Sequence, residues 1–139
     1  MTLKALWVLL FAVPALAADI PRSAAPPDTR LYIISPADGA TVTGPVTVRF
    51  GLRGMGVAPA GIAIDGTGHH HLLIDVDVPA LDQPIPADAN HLHFGKGQTE
   101  TVLTLAPGRH RLQLLLGDHL HRPHDPPVVS EAITITVAP

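Results

Sequence analysis

From Thr29 onward, no stretch of this chain spaces its apolar residues at the period of about 3.6 that an amphipathic helix needs. Short runs instead alternate apolar and polar residues, and turn-forming clusters such as Ser35-Pro36-Ala37-Asp38-Gly39 separate them. Side chains on a strand point alternately to opposite faces, so such runs bury one face and wet the other. The spacing predicts strands over Arg30 to Ile34, Val46 to Arg53, His69 to Val78, His91 to Phe94, Thr99 to Leu105, Arg109 to Leu116 and Ser130 to Val137.

In the second of these, Val46, Val48, Phe50 and Leu52 share one face, while Thr47, Arg49 and Arg53 face water. In the third, His70, Leu72, Ile74, Val76 and Val78 form the inward face, and His69, His71, Leu73, Asp75 and Asp77 the other. Thr99 to Leu105 and Arg109 to Leu116 read as a hairpin joined at Pro107-Gly108. Seven short strands in one chain of this length point to an all-β, two-sheet antiparallel sandwich of immunoglobulin-like or cupredoxin-like type, with a small barrel as the alternative.

Ahead of this domain stand Lys4, an apolar run from Ala5 to Val13, Pro14 and the small-residue pattern Ala15-Leu16-Ala17. That is the pattern of a signal peptide over residues 1–17, cut after Ala17, and its apolar run falls short of the ~20 residues a membrane span takes. The expected location is periplasmic or secreted. Residues 18–28, with Pro21, Pro26 and Pro27, read as a flexible leader, and residues 29–139 as a single domain.

The chain contains no Cys, so disulfides and a cysteine-linked lipid anchor have no attachment point, and packing must hold the domain. Losing Lys4 with the signal leaves one fewer than nine Lys and Arg against twelve Asp and Glu, a net charge of −4 with neutral histidines. Such a chain suits neither nucleic acid nor an anionic membrane surface, and with Tyr32, Phe50 and Phe94 as its remaining aromatics it offers no base-stacking platform. Membrane insertion is likewise not expected.

The nine histidines fall in clusters: His69-His70-His71, His91-Leu92-His93, His110, and the run from Asp118 to Asp125 that holds His119, His121 and His124. On a strand, residues i and i+2 share a face about 7 Å apart, so His69 with His71, and His91 with His93, can converge on one ion. Imidazole suits Zn²⁺ and Cu²⁺ and also Ni²⁺. Asp75, Asp118 and Asp125 stand near enough in sequence to orient ring nitrogens. Thiolate copper and methionine-rich Cu(I) sites are excluded, since Met55 is the sole sulfur residue beyond the signal. The metal candidates are therefore His91 and His93, with one or more of His69, His71, His119, His121 and His124; the strand pairs are expected on a polar face, and His119, His121 and His124 in a loop. His70 and His110 share faces with Leu72 and Leu112 and are expected in the core. Gly54-Met55-Gly56 and Gly66-Thr67-Gly68 join no strand to a helix and read as turns rather than phosphate cradles.

Several of these motifs together resemble a bacterial exported family, domain of unknown function 4399. The likeness runs through Ser35-Pro36-Ala37-Asp38-Gly39, Gly54-Met55-Gly56-Val57-Ala58-Pro59, Gly68-His69-His70-His71-Leu72-Leu73-Ile74-Asp75, Gln83-Pro84-Ile85-Pro86, His91-Leu92-His93-Phe94-Gly95 and Gly117-Asp118-His119. It implies export and a compact β domain, and assigns no activity.

The residues favour a periplasmic carrier or buffer of copper or zinc ion, with no catalytic residue assigned. The competing reading is a structural or interaction domain, with a histidine hydrogen-bond network and another envelope protein as partner. A metalloenzyme, with three histidines and an open fourth position, ranks third. The expected mature N-terminus is Ala18: intact mass of the exported protein should show loss of residues 1–17, and retention of Met1 to Ala17 would contradict this.

Overall fold

The computed structural model describes residues 20–139, so the expected signal and its cleavage point lie outside the described residues. Nine strands form among them: β1 (Arg30–Ser35), β2 (Thr41–Val42), β3 (Val46–Arg53), β4 (Gly56–Val57), β5 (Thr67–Ile74), β6 (His91–His93), β7 (Glu100–Leu103), β8 (Gly108–Gly117) and β9 (Ile133–Val137). They make two sheets, one in the order β1-β3-β7 and one in the order β2-β9-β8-β5-β4, with β6 also paired to β5. The first, second and fifth long strands thus face the third, sixth and seventh, which is the immunoglobulin-type arrangement.

Alternation places the core as expected on β3, where Val46, Val48 and Phe50 are buried and Thr47 and Arg49 are exposed. These residues and Leu31 pack against Leu72, Ile74, Leu112, Leu114, Leu116 and Ile135 of the larger sheet. A second, smaller cluster of Leu73, Ile85 and Leu115 lies on the opposite face of that sheet, with Val76, Val78, Leu81 and Val129 packed over it. Both faces of β5 and β8 are therefore covered.

Four sequence expectations change here. First, residues 99–105 and 109–116 are not a hairpin: β7 pairs with β3 in the small sheet, whereas β8 pairs with β5 and β9 in the large one. The Pro107-Gly108 segment carries the chain from one sheet to the other. Second, the sandwich is not wholly antiparallel, because β2 runs parallel to β9 and β4 parallel to β5.

Third, the strand expected to reach Val78 ends at Ile74. Asp75 takes a positive φ of 58°, which Asp tolerates better than most residues. Its carboxylate accepts from Arg111 N at 2.8 Å, taking over the pairing that a continuing strand would have made. Fourth, His110 is not a core residue. Its parity matches Leu112, but it sits near the start of β8, where its ring meets Asp75 Oδ2 at 2.7 Å and Ala106 O at 2.8 Å. Both ring nitrogens face acceptors, an arrangement that only the imidazolium satisfies fully. The Asp75 hydrogen bond, followed by that to Ala106, holds the His110 pKa above its ordinary value.

The core assignment is testable at its centre. Leu114→Ala, at a position with 0% exposure, should cost about 2 to 5 kcal/mol in denaturant unfolding. Val102→Thr on the open face of β7 should change stability by no more than about 0.5 kcal/mol. A loss below about 1 kcal/mol at Leu114 would contradict this packing.

Candidate metal centre

Strand β5 carries three consecutive histidines, and the pleat sends them to opposite sides of the sheet. His70 points between the sheets, against the Phe50 ring at 5.1 Å, and is the core residue its parity suggested. His69 and His71 point to the outer face, expected from sequence to be a polar surface. That expectation is corrected: both are fully buried, since the chain after β8 and the Leu81 to Ile85 segment fold back over this face.

Across the ladder, β6 pairs His93 with His71, Leu92 with Leu72 and His91 with Leu73. The register brings His93 onto the same outer face, where its ring lies 5.1 Å from His71 and 5.0 Å from His69. Ligand nitrogens of His69, His71 and His93 all lie within 4.8 Å of one another. A fourth ring reaches the group from the loop after β8: His121 is 4.8 Å from His93, 5.0 Å from His69 and 6.3 Å from His71.

Of the seven sequence candidates, the fold thus brings together His69, His71, His93 and His121. His91 shares their face but sits two residues along, beside Leu73, with its Nδ1 2.9 Å from Asp88 Oδ1. His119 is half-buried at a cleft of about 490 Å³ that is also lined by Ser23, Asp118 and His124 and by none of the four clustered rings. His124 is buried, but its Nε2 meets Thr67 O at 3.1 Å and its ring lies against Gly68, away from the other rings. Asp125 is exposed and 3.8 Å from Arg22.

Two glycines next to the histidine motifs make room for the rings. A Cβ on Gly117 would stand 2.7 Å from His71 Cε1, and one on Gly95 would stand 2.6 Å from His93 Nε2. Neither has the positive φ that favours glycine, so the requirement is space. Sequence reading named both within their histidine motifs, Gly95 at the end of one and Gly117 at the start of the other, but gave neither a role.

Burial, then repulsion from His121 and His93, pushes the His69 pKa down to about 4. For His71, burial and the neighbouring rings push it down to about 2. His93 is lowered in the same sense, by burial and then by His121. These imidazoles are therefore neutral at physiological pH, the form that ligates metal. Among the described residues, neither nitrogen of His69 or His71 has a hydrogen-bond partner at ordinary hydrogen-bond geometry, and burying such groups unpaired costs about 1 to 3 kcal/mol each. His70 also lacks partners, so it is the convergence of His69 and His71 with further imidazoles that distinguishes the outer face.

A comparison with curated proteins finds no match. Among solved structures, the fibronectin(III)-like modules of CbhA from Clostridium thermocellum are similar at 11% identity and a TM-score of 0.37, over 77% of this chain and 92% of that chain. The family model described as Domain of unknown function (DUF4399) matches residues 48–138, a span that includes His69, His71, His93, His121, Gly95 and Gly117. The chain belongs to this DUF4399 family.

Proposed function

We propose that this is an exported metal-binding protein, a carrier or buffer for Zn²⁺ or Cu²⁺, with His69, His71 and His93 as its ligands. The observation that carries the reading is the convergence of three neutral imidazoles, two of them buried and without hydrogen bonds, with ligand atoms inside 4.8 Å. A metal ion would take the lone pairs that the protein leaves unpaired. Export rests on the residue pattern ahead of the domain.

A histidine hydrogen-bond network, the competing reading, would require partners that His69 and His71 lack. An exposed ligand beside two buried ones suits uptake and release, because His93 faces solvent and opens a path for the ion.

Titration calorimetry of metal-free, untagged protein should detect Zn²⁺ or Cu²⁺ binding tighter than ~10 μM, a free energy of about 7 kcal/mol. His93→Ala should weaken that binding about tenfold or more, ~1.4 kcal/mol, without unfolding the domain, since the side chain is exposed. His91→Ala should leave it intact, because His91 is engaged by Asp88. Unchanged binding in His93→Ala would sink the proposal.

A pH dependence follows from the same burial. In the unfolded chain these histidines protonate near pH 6.5, and in the folded chain His69 and His70 do so near pH 4 and His71 near pH 2. A depressed folded-state pKa contributes stability that is present above the unfolded value and lost on acidification. The metal-free fold should therefore weaken from pH 6.5 toward pH 4, by up to about 1.4 kcal/mol per pH unit for each such histidine. Denaturant melts across this range check it, and a flat profile would contradict the burial.

A further inference from the structure

The loop that delivers His121 is tied more tightly than its length requires. Asp118, only 2% exposed, accepts hydrogen bonds at Oδ1 from Leu120 N at 2.9 Å and Arg122 N at 3.0 Å. Its Oδ2 accepts from Ser23 Oγ at 2.8 Å, in the leader. The turn closes through Asp118 N to Arg122 O and His121 N to Asp118 O, both 2.9 Å, and Ile85 N donates to His121 O at 2.7 Å. Within it His121 holds a φ of 62°, a left-handed conformation that costs a residue with a Cβ about 1 to 2 kcal/mol. Such strain persists where the surroundings over-determine it, and here its result is that the imidazole is laid back onto the outer face of the sheet.

The arrangement of the four rings has a recognisable form. Bonds of about 2 Å from Zn²⁺ to each imidazole nitrogen place ring centroids about 3 Å from the ion and, at tetrahedral angles, about 5 Å from one another. Five of the six separations here lie between 4.8 and 5.1 Å, and the sixth, His71 to His121, is 6.3 Å. A square-planar ion would need two long separations across the diagonals, each about 6 Å or more. The pair that would be the second diagonal, His69 and His93, is 5.0 Å apart. The ring centroids therefore outline a tetrahedron with one edge open at His121, whose nitrogens lie outside the 4.8 Å group formed by those of His69, His71 and His93.

We propose that His121 is a fourth ligand, that it closes this group into a tetrahedral four-imidazole shell matched to Zn²⁺ rather than Cu²⁺, and that Asp118, braced by Ser23, is the residue that positions it. This rests on the metal-binding reading above and adds the ion and the fourth ligand. A shell filled by four protein ligands has no open position for substrate, so the ion is held or handed on, with no hydrolytic role.

The test uses untagged full domain, with Zn²⁺, Cu²⁺ and Co²⁺ as probes. His121→Asn keeps a residue that tolerates the positive φ, with a side chain too short to reach the ion. It should lower Zn²⁺ affinity on the order of 100-fold and Cu²⁺ affinity by less than about threefold, since three nitrogens and water still suit a tetragonal ion. Bound Co²⁺ should show the intense visible bands of a four-coordinate tetrahedral ion in wild type, and these should weaken in His121→Asn. Asp118→Ala should weaken Zn²⁺ binding about tenfold with Cu²⁺ little changed, and Asp118→Asn, whose amide oxygen still accepts from Leu120 N and Arg122 N, should restore most of the loss. If wild type binds Zn²⁺ but His121→Asn binds it equally, with the same Co²⁺ spectrum, the fourth-ligand proposal is overturned and the three-histidine reading stands. Wild type that binds none of the three ions overturns both.

Discussion

Covering both faces of β5 is the condition on which the rest of the structure depends. An ordinary strand of an antiparallel sandwich buries one face and leaves the other to water, and a Gly-His-His-His run would then expose alternate imidazoles at no cost. Here the inner face packs His70 and Leu72 against Phe50 and its neighbours, and the outer face is roofed by chain segments around Ile85 and Asp118 to Val129. The roof turns His69 and His71 from solvated groups into neutral rings without partners. Burial of that kind is unfavourable unless something accepts the lone pairs, and two such rings meeting His93 and His121 at one point supply a binding site for a cation.

The roof is held by polar ties as well as by the small apolar cluster of Leu73, Ile85 and Leu115. Arg22 donates to the carbonyls of Pro123 and His124, Ala25 N donates to Asp125 O and Asp125 N to Ser23 O, and Ser23 Oγ donates to the buried Asp118. Burial alone would raise the Asp118 pKa, but the hydrogen bonds from Arg122 N, Ser23 and Leu120 N outweigh it and hold the carboxyl low. The anion is thus available across physiological pH to brace the loop. Residues 22–25, read from sequence as part of a flexible leader, lie along this loop and contribute to the site at one remove.

What the sequence made legible was parity. The alternation on β3 and β5 identified Val48, Phe50 and Leu72 as core, separated His70 from His69 and His71, and matched His93 to the outer face. What it concealed were the long-range decisions. Period-2 spacing cannot say whether a neighbouring segment will roof a strand, so the outer face was expected to be polar. Nor could it distinguish a tight hairpin from the crossover between sheets at Pro107-Gly108, since both place a turn between two strands. In sequence His91, paired with His93 on a strand, was favoured over His121 in its loop. The β5–β6 register set His91 beside Leu73, and the positive φ at His121 turned a loop residue back toward the sheet. Neither event leaves a local signal.

The account stands on the claim that the outer face of β5 holds a metal ion, and the most direct measurement is the metal content of the protein as its own cell makes it. Untagged protein, isolated from the native compartment without chelators and analysed by inductively coupled plasma mass spectrometry, is expected to carry tightly held zinc or copper at close to one ion per chain. The same preparation of His71→Ala, if it folds, should carry none. Wild-type protein with no metal above the level of that variant would contradict the account at its centre.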